Sequence, residues 1–197
     1  MKQVEITVKV IGNLDDVIKC LADQGFYISK KSRVEDQYLS NQIDSLANDN
    51  IIHTLSGSVM LRYLDTGDRI WTGITHKNKT YGANGDVLSE EKINIDCNDL
   101  VSAKKLFNAL GFQTLVNVNY DVIRMQNDKI QFAFQNVEKL GLLLECESEK
   151  DATGWTEQEI NTEKKSLVDA IRALGISISE DSDIKKAYEL IKIQKID

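Results

Sequence analysis

Val4-Glu5-Ile6-Thr7-Val8-Lys9-Val10 alternates strictly between apolar and polar residues. Side chains alternate across a β-strand, so Val4, Ile6, Val8 and Val10 fall on one face while Glu5, Thr7 and Lys9 fall on the other. Taken once, such a stretch reads equally well as a surface strand with its polar face in water. The pattern recurs in Leu144-Glu145-Cys146-Glu147-Ser148-Glu149, where three carboxylates fall on one side. Carboxylates crowded along one strand face repel and need solvent, cations or both. The two stretches together predict a sheet with one face on a core and the other lining a polar cavity suited to a metal ion.

Working outward, the strand belongs to a repeat. The first copy runs from Glu5 through Leu14–Asp23, which has helical apolar spacing, to Gly25-Phe26. The second runs from Glu91-Lys92-Ile93-Asn94-Ile95 through Leu100–Leu110 to Gly111-Phe112, and Glu5 to Glu91 and Gly25 to Gly111 are both offsets of 86. In each copy Gly follows the helix, as a left-handed C-terminal cap requires, and extended residues resume. Hairpins are expected at Thr66-Gly67-Asp68 and at Asn127-Asp128. Glu157–Leu174 and Asp183–Ile193 read as helices. Residues 40–58 and Lys77–Leu88 read as polar loops. Two related, strand-rich halves predict an α+β fold that closes as an antiparallel barrel or a deeply curved sheet, with helices packed outside. Residues 1–197 form one domain in this reading, with the C-terminal helical segment, about 156–197, packed on the barrel.

Composition bounds the function. The 197 residues carry a net charge of −7, which gives no electrostatic footprint for nucleic acid. No apolar run reaches the length of a membrane span, and nothing near Met1 reads as a signal peptide, so a cytoplasmic location is expected. Cys20, Cys97 and Cys146 are widely spaced and read as reduced thiols. With only His53 and His76 in the chain, a His/Cys zinc site is disfavoured. Cys146 alternates away from Glu145 and Glu147, which makes it a core thiol. His76 alternates away from Lys77 and points outward.

At this point the residues resemble the CYTH superfamily of class IV adenylate cyclases and thiamine triphosphatases. The resemblance rests on Glu5-Ile6-Thr7-Val8-Lys9, Asp36-Gln37-Tyr38, Leu61-Arg62-Tyr63-Leu64, Thr75-His76-Lys77 and Leu140-Gly141-Leu142-Leu143-Leu144-Glu145-Cys146-Glu147, with Ala187-Tyr188-Glu189-Leu190 a loose closing element. It implies an eight-stranded antiparallel tunnel-like β-barrel with flanking helices, in which basic residues grip a triphosphate and acidic residues hold one or two Mg²⁺ or Mn²⁺ ions. On this resemblance Glu5, Glu145 and Glu147 are metal ligands, and Lys9, Arg62, Lys77 and Arg124 bind phosphate. Glu5, Lys9 and Glu145 are the catalytic candidates; Glu91 belongs to the same surviving set, with Arg33 and Arg124 as reinforcements. The chemistry has its own logic, because a triphosphate needs several converging cations and Mg²⁺ combines a few carboxylates with phosphate oxygens.

The chain departs from the pattern at Thr7, Leu64, Ser89, Asn119, Asp121 and Gln135, where basic or acidic residues are expected. Two functions follow as expectations. One is a divalent-metal-dependent enzyme on a triphosphate compound, hydrolysing it or cyclising ATP. The other is a non-catalytic protein that kept the tunnel and changed its small ligand. For each named group a plain alternative stands: solvated carboxylates, or ion pairs with Lys9 and Lys77. The resemblance also makes a homodimer plausible.

Overall fold

The computed structural model of the chain describes residues 3–43, 50–81 and 87–196, and for 77–81, 87–90 and 196 it describes the backbone alone. β1 (Glu5–Lys9), α1 (Leu14–Ala22) and β2 (Tyr27–Ser40) lead to a short α2 (Ile51–Ser56) and the hairpin β3 (Val59–Asp65) and β4 (Ile70–Tyr81). β5 (Val87–Asp96), α3 (Leu100–Ala109) and β6 (Gln113–Gln126) repeat the opening run, followed by the hairpin β7 (Gln131–Val137) and β8 (Gly141–Glu147). α4 (Glu157–Ala173) and α5 (Lys186–Ile196) follow.

The repeat is visible in local chemistry. Asn13 caps α1 by accepting from the Asp15 N–H, and Asp99, 86 residues on, caps α3 by accepting from the Ser102 N–H. Gly25 and Gly111 then take φ values of +84° and +87°, which turn the chain into β2 and β6. These two 14-residue strands pair antiparallel at the centre of a single sheet ordered β1-β8-β7-β6-β2-β3-β4-β5. Each half hands its first strand to the other, since β1 pairs with β8 and β5 with β4.

The sheet curls but does not close into a barrel. Residues 177–184 occupy the edge of β1 that closure needs. Thr7 bridges Asp183, Val10 bridges Ile178, and the Ser179 and Ile184 amides donate to the carbonyls of Lys9 and Thr7. This strap also explains why α5 begins at Lys186 and not at Asp183. Two further expectations change. The 40–58 stretch contains α2, capped by Asn50. Lys77–Leu88 is the end of β4 and the start of β5, with 82–86 outside the described residues, as are 44–49.

Alternation along the strands builds cores on both faces. On the convex face Ile6, Val8, Phe132, Phe134, Leu144 and Cys146 pack against α1 and α4, including Leu21 and Ile171. α3 covers Leu39 and Leu61 on the same side. On the concave face Val116, Val118, Tyr120 and Leu143 meet Ala187, Leu190 and Ile191, so α5 lies within the curl. No helix among the described residues is long and apolar enough to cross a membrane.

One ion pair is built into the concave core. Arg62 Nε and Nη2 donate to the two oxygens of Asp36 at 2.6 and 2.7 Å, and Asp36 is only 3% exposed. Burial works against the Arg62 charge, but the Asp36 hydrogen bonds outweigh it and raise the guanidinium pKa. Asp36→Ala is expected to cost about 3 kcal/mol, because it leaves a largely buried cation unpaired. A lowered urea midpoint with unchanged slope is the readout. Burial pushes the Cys146 thiol up to about 12, with the Glu147 and Glu145 carboxylates adding to it. Cys146 should therefore resist Ellman's reagent at pH 8 until the protein is denatured, and comparison with Cys146→Ser identifies the protected thiol.

Candidate functional site

β1 and β8 bring the acidic residues together. Their register sets Glu5 opposite Glu147 and Thr7 opposite Glu145. Carboxylate oxygens of Glu5, Glu145 and Glu147 lie within 4.8 Å of one another. Glu5 and Glu145 are half-buried and Glu147 is exposed, while Thr7 is buried between them. Ligands on opposite sides of one Mg²⁺ are about 4.2 Å apart, so the spacing is of the right order for a shared ion. Three oxygen donors without His or Cys form a hard set that suits Mg²⁺ or Mn²⁺.

The expected phosphate ligands fare unequally. Arg62 is held by Asp36 and, at 3.4 Å, by the Tyr120 hydroxyl. Lys9 is exposed at the end of β1. Lys77 pairs with Lys92 in the backbone register, and its side chain falls outside those described, as does that of Ser89. Arg124 is opposite Ala133, which is itself opposite Glu145, so Arg124 shares the carboxylates' face. There it lines a cleft of about 390 Å³ with Lys129, Lys150, Glu145, Glu147 and Glu163. Burial pushes Glu163 up, but hydrogen bonds from Lys150 and Ser148 outweigh it and hold the carboxyl below its usual range. That pair, with Lys150 Nζ at 2.6 Å, fixes one cation at the cleft wall.

Other candidates turn away. Glu91 sits one residue out of step with Lys92 and Asn94, which pair with Lys77 and Thr75 on the concave face, so it lies exposed on the convex side. Arg33 also faces outward and bridges Asp121 at 3.5 Å and Glu138 at 2.7 Å. Asp121 is therefore an outer-surface partner of Arg33 and does not oppose an anion in the tunnel. Gln135 and Leu64 do face inward. His76 is half-buried, its Nδ1 at 2.9 Å from the Ser58 carbonyl. Cys146 is buried on the face away from the carboxylates.

Sequence reading misses Lys186. From the first turn of α5 it donates to Gln135 Oε1 at 2.6 Å, reaches Glu145 Oε2 at 3.4 Å and stands 4.7 Å from the centre of the Tyr120 ring. It lines an inner chamber together with Glu5, Glu145 and Asp183. The one signal in the sequence is the charged run Asp183-Ile184-Lys185-Lys186 immediately before Ala187-Tyr188.

No protein-family model matches the chain. A Methanocaldococcus jannaschii protein, provisionally named an adenylate cyclase, is 28% identical over 191 residues, covering 95% of this chain and 97% of that protein. Among solved structures, a Pyrococcus horikoshii protein superposes with a TM-score of 0.72 at 19% identity, covering 98% of this chain and 99% of that one. A Hippeastrum protein, provisionally named an adenylyl cyclase and described as having a dominant triphosphatase activity, superposes with a TM-score of 0.60 at 13% identity, covering 98% and 96%. Order of elements, the curled eight-stranded sheet and these superpositions over nearly the whole chain agree: the chain has the fold of these proteins, a curled eight-stranded antiparallel sheet with flanking helices.

Proposed function

We propose that the chain is a divalent-metal-dependent phosphohydrolase acting on a triphosphate compound in the outer cleft. One observation carries this reading: Glu145 and Glu147, whose carboxylates cluster with that of Glu5, line a cleft whose walls also present Arg124, Lys129 and Lys150. Acidic and basic groups at one mouth match a metal–phosphate complex, in which carboxylates hold the ion and cations hold phosphate oxygens. The names of the Methanocaldococcus jannaschii and Hippeastrum proteins point to the same class of chemistry.

Glu5, Glu145 and Glu147 would hold Mg²⁺ or Mn²⁺. When bound, the ion supplies charge stabilisation on the transferring phosphoryl group and a more acidic water. Arg124 and Lys129 bind and orient the phosphate chain, and Lys150, fixed by Glu163, limits its reach. In hydrolysis, water adds to the terminal phosphorus, one bridging P–O bond breaks, and orthophosphate and a diphosphate leave with release of a proton. Hydrolysis fits this cleft better than cyclisation of ATP, because among the described residues the cleft lining contains no aromatic ring against which adenine would stack. A reducing compartment suits the three free thiols.

A second reading, a binding protein without turnover, is favoured by the centre of the concave face. Arg62 is committed to Asp36 there, and α5 fills the space above Val118 and Tyr120. Calorimetric titration of inorganic tripolyphosphate with Mg²⁺ and with EDTA, paired with an assay of phosphate release, separates the two. Metal-dependent binding with turnover supports the enzyme, binding without turnover supports a binding protein for phosphate compounds, and no binding overturns the enzyme and leaves a tunnel whose ligand has changed. Glu147→Gln should lower metal-dependent phosphate release on the order of 100-fold while leaving Tm unchanged, since Glu147 is exposed.

A further inference from the structure

We propose that Lys186 stands in for a second divalent ion, so that the carboxylate cluster takes one ion per chain. The inference rests on the metal reading above. Glu145 is the residue common to the outer cleft and the inner chamber. On the inner side three carboxylates, Glu5, Glu145 and Asp183, meet two ammonium groups, Lys185 and Lys186. Lys185 lies 2.8 Å from Asp183, and Lys186 lies 3.4 Å from Glu145. Cations that belong to the chain thus already offset most of the acidic charge on this side.

The position of Lys186 is built, not incidental. Its ammonium has three protons. One is directed to Gln135 and one to Glu145, and the group stands over the Tyr120 ring. Ala187, Leu190 and Ile191 anchor the same helix in the concave core, which keeps the ammonium at high local concentration beside Glu145. A divalent ion on the inner side of Glu145 would meet this charge at contact distance and would lose the carboxylate it needs. Glu147, on the outer side, has no ammonium within ion-pair distance among the described residues. The structure therefore leaves one side of the cluster open to an ion and closes the other.

The test is a titration of the full chain with Mn²⁺, followed by calorimetry and by the electron paramagnetic resonance of free Mn²⁺. The wild type is expected to bind one ion. Lys186→Met keeps the length of the side chain and its contact with Tyr120 but removes the charge. It should bind a second ion and hold the first roughly tenfold more tightly, because competition and metal affinity are reciprocally linked. Lys186→Arg keeps the charge and should retain a stoichiometry of one. Two ions in the wild type, or identical titrations for wild type and Lys186→Met, overturn the assignment while leaving the metal reading intact. Absence of Mn²⁺ binding in every variant overturns the metal reading itself, and this assignment with it.

Discussion

The pairing of β2 with β6 is the constraint on which the rest of the molecule is arranged. Two strands of equal length, each delivered by a capped helix and a positive-φ glycine, meet antiparallel at the middle of the sheet. Every other strand is then added outward in mirrored order, and the exchange of first strands carries β1 to the side of β8. Only this exchange brings Glu5 beside Glu147, although the two are far apart in sequence. Sheet topology thus joins the candidate ligand of β1 to the contiguous pair on β8.

The concave face shows a competition between packing and ligand binding. Its centre is apolar, valine-rich and covered by α5, and Arg62 is neutralised there by Asp36. Groups with charge to spare lie at one edge, where β6, β7 and β8 end near the 127–131 turn and the residues following β8. Arg124 and Lys129 line the cleft at that edge. Thr7, which takes the place of an expected carboxylate, is buried between Glu5 and Lys9 and serves the strap that covers the edge of β1.

Strand alternation makes Glu5, Glu145 and Glu147 legible in the sequence itself, because a two-residue period fixes faces without reference to long-range contacts. The 86-residue repeat is legible for the same reason: helix caps and turn glycines are local. Register is not. Glu91 reads as the equivalent of Glu5, yet the pairing of β5 with β4 turns it outward, and a one-residue shift inverts every side chain. Arg33 and Asp121 escape sequence reading as well, since a cross-strand ion pair on the outer surface has no local signature. Lys186 is invisible because its partners, Gln135, Glu145 and Tyr120, are gathered by a helix entering the curl from a distant part of the chain.

The strap of residues 177–184 along β1 bears on how the chain acquires its structure. The neighbours of β1 on both edges, β8 and the strap, lie more than 130 residues later in the sequence. Its contacts are of the highest sequence separation in the molecule, and such contacts form late because loop closure must precede them. During folding β2, β3 and β4 have partners nearer in sequence, while the strand carrying Glu5 waits with both edges bare. The carboxylate cluster is therefore completed only when the two ends of the domain are fastened together, so acquisition of the site and completion of the fold are one event.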